Sequence, residues 1–148
     1  MNLFFDTSAL VKLFHQEEGS EIVTKLITLQ ENEIWVLELV RVEFISALFR
    51  RFRNQEIAEQ NLNTAITGFE EQLDLFNIEP LGHAIIKEAE TLIKKYGKIY
   101  GIRALDALQL GAFILISEKD WGFVSADDKL CEIVEILGFK IINPLTAH

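Results

Sequence analysis

Four carboxylates stand where a folded chain has little ordinary use for them. Asp6 directly follows the apolar run Leu3-Phe4-Phe5, and Asp127 closes Val124-Ser125-Ala126-Asp127. Glu43 lies inside Val40-Arg41-Val42-Glu43-Phe44-Ile45-Ser46-Ala47-Leu48, and Asp106 inside Ile102-Arg103-Ala104-Leu105-Asp106-Ala107-Leu108-Gln109-Leu110. A carboxylate on a mainly apolar face must be paired, protonated or bound to metal, because burying a lone charge is costly. The helical neighbours of Glu43 are Leu39, Val40, Ser46 and Ala47, none of them a cation. Carboxylates gathered in one pocket raise each other's pKa, and a hard cation removes that penalty. Oxygen ligation alone suits Mg²⁺ or Mn²⁺. No histidine is needed: His15, His83 and His148 are scattered and read as surface or boundary residues.

Each acid has a plainer reading beside this one. Asp6 and Asp127 could simply cap the helices that follow them, since aspartate is among the best N-caps. Thr7 or Ser8 could cap the first helix in place of Asp6. Glu43 could be a half-exposed boundary residue, or the partner of a distant arginine. Asp106 could form a surface pair with Arg103, worth only about 0.3–0.5 kcal/mol. Such a pair explains little about an acid in so apolar a stretch. It is the set of four that carries the expectation of a shared site.

Those acids need elements that bring them together. The pattern predicts short strands at Leu3–Phe5, Ile34–Val36, Leu75–Ile78, Gly122–Val124 and Phe139–Ile142. Helices are expected over about Ser8–Phe14, Ser20–Leu29, Leu39 to the Arg50-Arg51-Phe52-Arg53 run, Gln55–Glu71, His83–Tyr96, Ile102–Ser117 and Lys129–Leu137. Gly97 and Gly101 are expected to flank a loop. Strands separated by helices call for parallel pairing. Short strands without alternation suit a sheet covered on both faces. The expected architecture is therefore a three-layer α/β/α sandwich around a mostly parallel sheet of about five strands. In such sheets ligands bind beyond the carboxyl ends of the strands, where strand order reverses. Asp6 and Asp127 sit at two such ends, with Thr7, Ser8 and Ser125 supplying hydroxyls beside them.

Composition sets the outer limits. The 148 residues, 49% of them hydrophobic, make one domain over residues 1–148 with a full core, and no repeat or linker divides it. The single cysteine excludes a disulfide framework and a cysteine-built zinc site, and it fits a reducing cytoplasm. No apolar run approaches the ~18 residues of a membrane helix, and an aspartate at position 6 argues against a signal peptide. Lys and Arg number 14 against 23 Asp and Glu, a net charge of −9 that opposes general attraction to nucleic acid. Arg50, Arg51 and Arg53, with Lys12 and Arg103 near the same edge, are candidates for guiding a polyanion. A solvated helix end complementing the macrodipole is the plainer account of the arginines.

Phe5-Asp6-Thr7-Ser8-Ala9-Leu10, Val42-Glu43-Phe44-Ile45-Ser46-Ala47-Leu48, Leu105-Asp106-Ala107-Leu108-Gln109-Leu110 and Val124-Ser125-Ala126-Asp127, in that order, resemble the PIN domain. The likeness is greatest to ribonuclease toxins of the VapC type, and it extends to the closing Ile141-Ile142-Asn143-Pro144. It implies a PIN-like α/β/α domain and a Mg²⁺- or Mn²⁺-dependent endoribonuclease. Asp6 and Asp106 would be the principal metal ligands, with Glu43 and Asp127 completing the acidic site. Thr7, Ser8 and Ser125 would contact substrate. Bound cations would provide hydroxide near neutral pH and neutralise the scissile phosphate, leaving 5′-phosphate and 3′-hydroxyl ends. The resemblance also implies a small antitoxin partner; exposed apolar positions on the early helices are expected to serve that contact or a homodimer, and the composition places the chain in the cytoplasm without membrane attachment.

Two departures from the family pattern stand out. Gln109 occupies a place where the family often has histidine, and little effect on the chemistry is expected. Asp128 doubles the last acid, although the Ser-x-Asp spacing favours Asp127. The competing class is a PIN-like module that binds RNA or protein without cutting. A phosphatase with an aspartyl nucleophile at Asp6 would want a second acid where Ser8 stands. A phospho-acceptor domain would want a lysine after the last strand, where Asn143-Pro144 is found.

Overall fold

Leu3, Phe4 and Phe5 are all fully buried, which requires a strand with both faces covered. In the computed structural model, which describes residues 1–146, this strand is the centre of the sheet. The chain runs β1 (Asn2–Phe5), α1 (Thr7–Phe14), α2 (Ser20–Thr28), β2 (Glu33–Leu37), α3 (Val40–Arg53), α4 (Glu59–Leu73) and β3 (Asn77–Glu79). It continues through α5 (His83–Tyr100), α6 (Ala104–Ile116), β4 (Gly122–Val124), α7 (Asp128–Ile136) and β5 (Lys140–Ile142). The five strands lie in the order β3-β2-β1-β4-β5, and every pairing is parallel. The expected three-layer sandwich is thus present.

The pleat of β1 divides the core in two. Leu3 and Phe5 point into one cluster with Leu10, Val23, Phe44, Leu48 and Phe69 from α1 to α4. Phe4 points into the other, with Leu92, Leu110, Phe113 and Ile133 from α5 to α7. The chain builds outward from β1 through β2 to β3, then crosses back to place β4 on the opposite side. With right-handed crossovers, that reversal sends the second set of helices to the other face. The reversal point lies between β1 and β4, where Phe5 is in register with Val124.

Three elements differ from the sequence expectation. Leu75 and Phe76 close the turn after α4, their amides donating to Gln72 and Leu73 carbonyls. The third strand therefore starts at Asn77, opposite Trp35, and Leu75 is exposed. Gln55 adopts a positive φ of 61°, which delays α4 to Glu59. Helix α5 passes through Gly97 and stops only at Gly101, whose φ of 61° is the left-handed conformation that glycine takes without strain. His15 is half-buried and His83 exposed; His148 lies outside the described residues. Among the described residues no helix is long and apolar enough to cross a membrane.

Candidate active site

The site begins where β1 and β4 end side by side. The Asp6 amide donates to the Val124 carbonyl at 3.1 Å, continuing the ladder one step past the strands. The Asp6 carboxyl then turns into the gap. Its Oδ1 accepts from the Ala9 amide at 3.0 Å and the Ser8 hydroxyl at 2.7 Å. Its Oδ2 accepts from the Ser125 hydroxyl at 2.5 Å. Ser125 Oγ in turn accepts from the Asp127 amide at 3.1 Å, and Ser8 Oγ accepts from the Ala126 amide at 3.0 Å. Asp6 is thus both the N-cap of α1 and a site carboxyl; neither Thr7 nor Ser8 caps the helix. Burial pushes its pKa up to about 7 against those hydrogen bonds, and the nearby Asp106 pushes the same way.

Glu43 comes from the first turn of α3, on the helix that buries Val40, Phe44 and Leu48. Among the described residues it has no cationic partner. Its Oε1 accepts from the Thr7 hydroxyl at 2.9 Å and from Gln109 Nε2 at 2.7 Å. Burial raises its pKa, opposed by those two donors and assisted by Asp106. Asp106 lies in the first turn of α6, not mid-helix as the sequence pattern implied. An acid there suits the helix macrodipole. Arg103 Nε approaches it at 3.6 Å, but that arginine side chain is 81% exposed, so the pair is worth little. The Asp106 pKa is raised by burial first and by Asp127 second, with Arg103 offsetting only part. Asp127 caps α7, accepting from the Leu130 amide at 2.9 Å. Asp128 is exposed and bonded to Asn143 Nδ2 at 3.1 Å.

All four carboxylates line one open cleft of about 870 Å³. Thr7, Ser8 and Gln109 line it too, whereas Ser125 lies beneath Asp6 and Asp128 faces an adjoining recess of about 500 Å³. The cleft's other end is basic. Lys12 lines it as expected but is mostly buried, and donates to Glu17 at 3.2 Å. Arg51 reaches the same Glu17 carboxylate at 3.3 Å, so it is locked in place rather than solvated. Arg50 remains exposed along the cleft. Arg53 is exposed at the end of α3 and does not line it. Sequence reading passed over Gln109 as unimportant, yet it is buried against Glu43. Its place one turn after Asp106 on an apolar helix was the available signal.

Among the described residues no three acids, histidines or cysteines stand close enough to hold one ion together. The donor chemistry nevertheless fits a hard cation. The cleft's polar lining is oxygen-rich and holds no histidine or cysteine. Asp6, Glu43 and Asp127 each couple electrostatically to Asp106. Mg²⁺ is usually held by one or two carboxylates and keeps several waters, so such an ion would not need three of these acids together. Cys131 lies outside the cleft, its thiol donating to the Ser125 carbonyl at 3.4 Å and pushed up to about 12, chiefly by burial.

An all-parallel sheet with an acid cleft at its reversal point defines a class of protein, and the family model for the PIN domain matches residues 3–136. The chain belongs to the PIN domain family. Its fold is that of VapC20 from Mycobacterium tuberculosis, described as a sarcin-ricin loop cleaving toxin: TM-score 0.70, 14% identity, covering 96% of this chain and 99% of that one. FitAcB from Neisseria gonorrhoeae gives a TM-score of 0.65 at 16% identity, covering 98% and 99%. VapBC2 from Rickettsia felis, solved with a DNA fragment from its promoter, gives 0.63 at 16% identity, covering 97% and 98%. No curated protein sequence matches the chain.

Proposed function

We propose that this PIN domain is a Mg²⁺- or Mn²⁺-dependent endoribonuclease acting as the toxin of a toxin-antitoxin pair. One observation carries the reading: acids from the ends of β1 and β4 and from the first turns of α3 and α6, Asp6, Asp127, Glu43 and Asp106, line a single cleft. Asp6 and Asp106 would hold the cation, with Glu43 and Asp127 acting directly or through its waters. A bound divalent ion supplies Lewis-acid activation of water and neutralises the scissile phosphate. The chain's own part is to orient. Ser125 and Ser8 fix both oxygens of Asp6, and Thr7 and Gln109 fix Glu43. Thr7 and Ser8 stand at the cleft wall where the substrate backbone would pass.

Fold neighbours solved as toxin-antitoxin complexes support a small antitoxin partner. Val42, Ile45, Phe49 and Phe52 form an exposed apolar stripe on α3 that supports a protein partner or a two-fold copy there. A cytoplasmic place of action follows from the same reading.

The test incubates purified protein with a mixed RNA pool in Mn²⁺, Mg²⁺ or chelator, beside Asp6→Asn and Asp106→Ala. Metal-dependent cuts ending in 5′-phosphate are expected, reduced at least about 100-fold in both variants. RNA bound but uncut in Mn²⁺ by folded wild-type protein would favour the non-cleaving module.

A further inference from the structure

Gln109 is 2% exposed, and it spends its amide in an unusual way. Nε2 donates to Glu43 Oε1 at 2.7 Å and lies 3.3 Å from Thr7 Oγ1. Thr7 Oγ1 donates to the same Glu43 oxygen at 2.9 Å. Both donors therefore act on Oε1, and Oε2 makes no hydrogen bond among the described residues. The other end of the amide is left alone: Gln109 Oε1 is buried without a partner. Turning the amide over would not help, because its carbonyl would then face a carboxylate oxygen at hydrogen-bond distance. A buried polar atom without a partner works against folding. Stability alone is thus a divided reason for glutamine here: the orphaned carbonyl counts against it, and the bond to the Glu43 carboxylate counts for it.

We propose that Gln109 is a positioning residue: it anchors one oxygen of Glu43 so that the other is presented to the cation held by Asp6 and Asp106. This rests on the metal-dependent reading above and assigns a role within it. Outer partners of metal ligands fix ligand orientation, and their loss weakens metal binding by about 10- to 100-fold. The geometry joins three helices, since Thr7 begins α1, Glu43 lies in the first turn of α3 and Gln109 lies one turn beyond Asp106 on α6. An imidazole N–H at position 109 would make the same donation, whereas a thioether would not.

The test measures Mn²⁺ affinity by calorimetry and by the electron-spin signal of free Mn²⁺, together with the thermal unfolding midpoint in chelator. Wild-type, Gln109→Met, Gln109→His and Thr7→Val are compared. Gln109→Met is expected to weaken Mn²⁺ binding about 10- to 100-fold, with little change in its metal-free midpoint, because the lost donor to Glu43 and the removed orphan carbonyl offset each other. Gln109→His should restore affinity to near wild type, and Thr7→Val should weaken it less than Gln109→Met. Wild-type affinity in Gln109→Met overturns the assignment and leaves the nuclease reading standing. A midpoint that falls along with affinity, with no recovery in Gln109→His, marks a packing role and also overturns it. A wild-type protein that holds no Mn²⁺ overturns this assignment and the metal reading together.

Discussion

Asp6 has two duties that pull its proton in opposite directions. As an N-cap it accepts the Ala9 amide, which favours the carboxylate; as a buried group it is pushed toward the neutral acid, and burial wins. The folded-state pKa is about 7 against 3.8 for the free side chain, so the folded protein binds this proton more tightly than the unfolded chain does. The resulting penalty is absent below the unfolded value, grows as pH rises between the two, and is complete above the folded one. Its ceiling is roughly 4 kcal/mol, since each pH unit between the two values contributes about 1.4 kcal/mol. Asp6→Asn, which cannot ionise, should therefore match wild type near pH 4 without metal and exceed it increasingly toward pH 8. Added Mn²⁺ should raise the wild-type midpoint at pH 8 and narrow the gap. Thermal melts across pH, with and without chelator, check this; a gap that stays flat or shrinks with pH removes the burial argument. At this scale the acids were legible because ionisable residues in apolar stretches need a reason. Gln109 was not, because a neutral amide raises no such alarm and its partner Glu43 lies 66 positions away.

At the scale of elements, Asp106 and Gln109 are only as well placed as α6, and α6 is seated on the backbone of α5. A Cβ added at Gly111 would meet the Ile85 carbonyl oxygen at 3.3 Å, the Ala89 amide nitrogen at 3.4 Å and Glu88 Cβ at 3.5 Å. Two of those three atoms belong to a helix backbone that has little room to give. Alanine gains about 1 kcal/mol over glycine in helix propensity, against an overpacking cost of about 1–3 kcal/mol. Gly111→Ala should therefore destabilise by about 1 kcal/mol net, read from urea unfolding, and lower metal-dependent cleavage by shifting α6 away from Glu43. A more stable variant would mean that the two helices separate freely. The sequence shows a helix at this position through its apolar content, but not the close approach, which depends on what α5 presents. The same gap explains the boundary errors. Gly97 reads as a breaker, yet its added Cβ would meet only Ile93 Cγ2, at 3.6 Å, and α5 continues through it. Leu75 reads as strand, but it completes the turn after α4. The parallel pairing and the two-sided core were readable because they follow from apolar runs alternating with helices, whereas the strand order was not.

For the molecule as a whole, the proposed RNA substrate meets a difficulty of charge: −9 repels a polyanion at long range. The fold answers by sorting. Of its 14 Lys and Arg, Lys12, Arg50, Arg51 and Arg103 line the cleft that also holds the acids. Arg50 stands seven residues beyond Glu43 on α3, about 10 Å along the helix axis, which is a reach of a nucleotide or two. Arg50 and Arg51 look alike in the sequence, but the structure gives them different work. Arg51 and Lys12 share Glu17 at 3.3 and 3.2 Å, an ion group that ties the end of α1 to α3. Arg50 has no ionic partner among the described residues and faces the cleft. Removing one cation that pairs with a phosphate should reduce the slope of log affinity against log salt by about 0.7 for single-stranded RNA. Arg50→Gln is therefore expected to flatten that slope by about 0.7, with unfolding unchanged. Arg51→Gln should instead cost about 1–2 kcal/mol of stability, because Glu17 loses a charged donor on a mostly buried side. Titrations of a labelled RNA in chelator at several salt concentrations, beside urea melts of the same two variants, separate these roles. If Arg51→Gln flattens the slope and Arg50→Gln does not, the buried ion group is the guide, and the exposed helix end is only a solvated terminus.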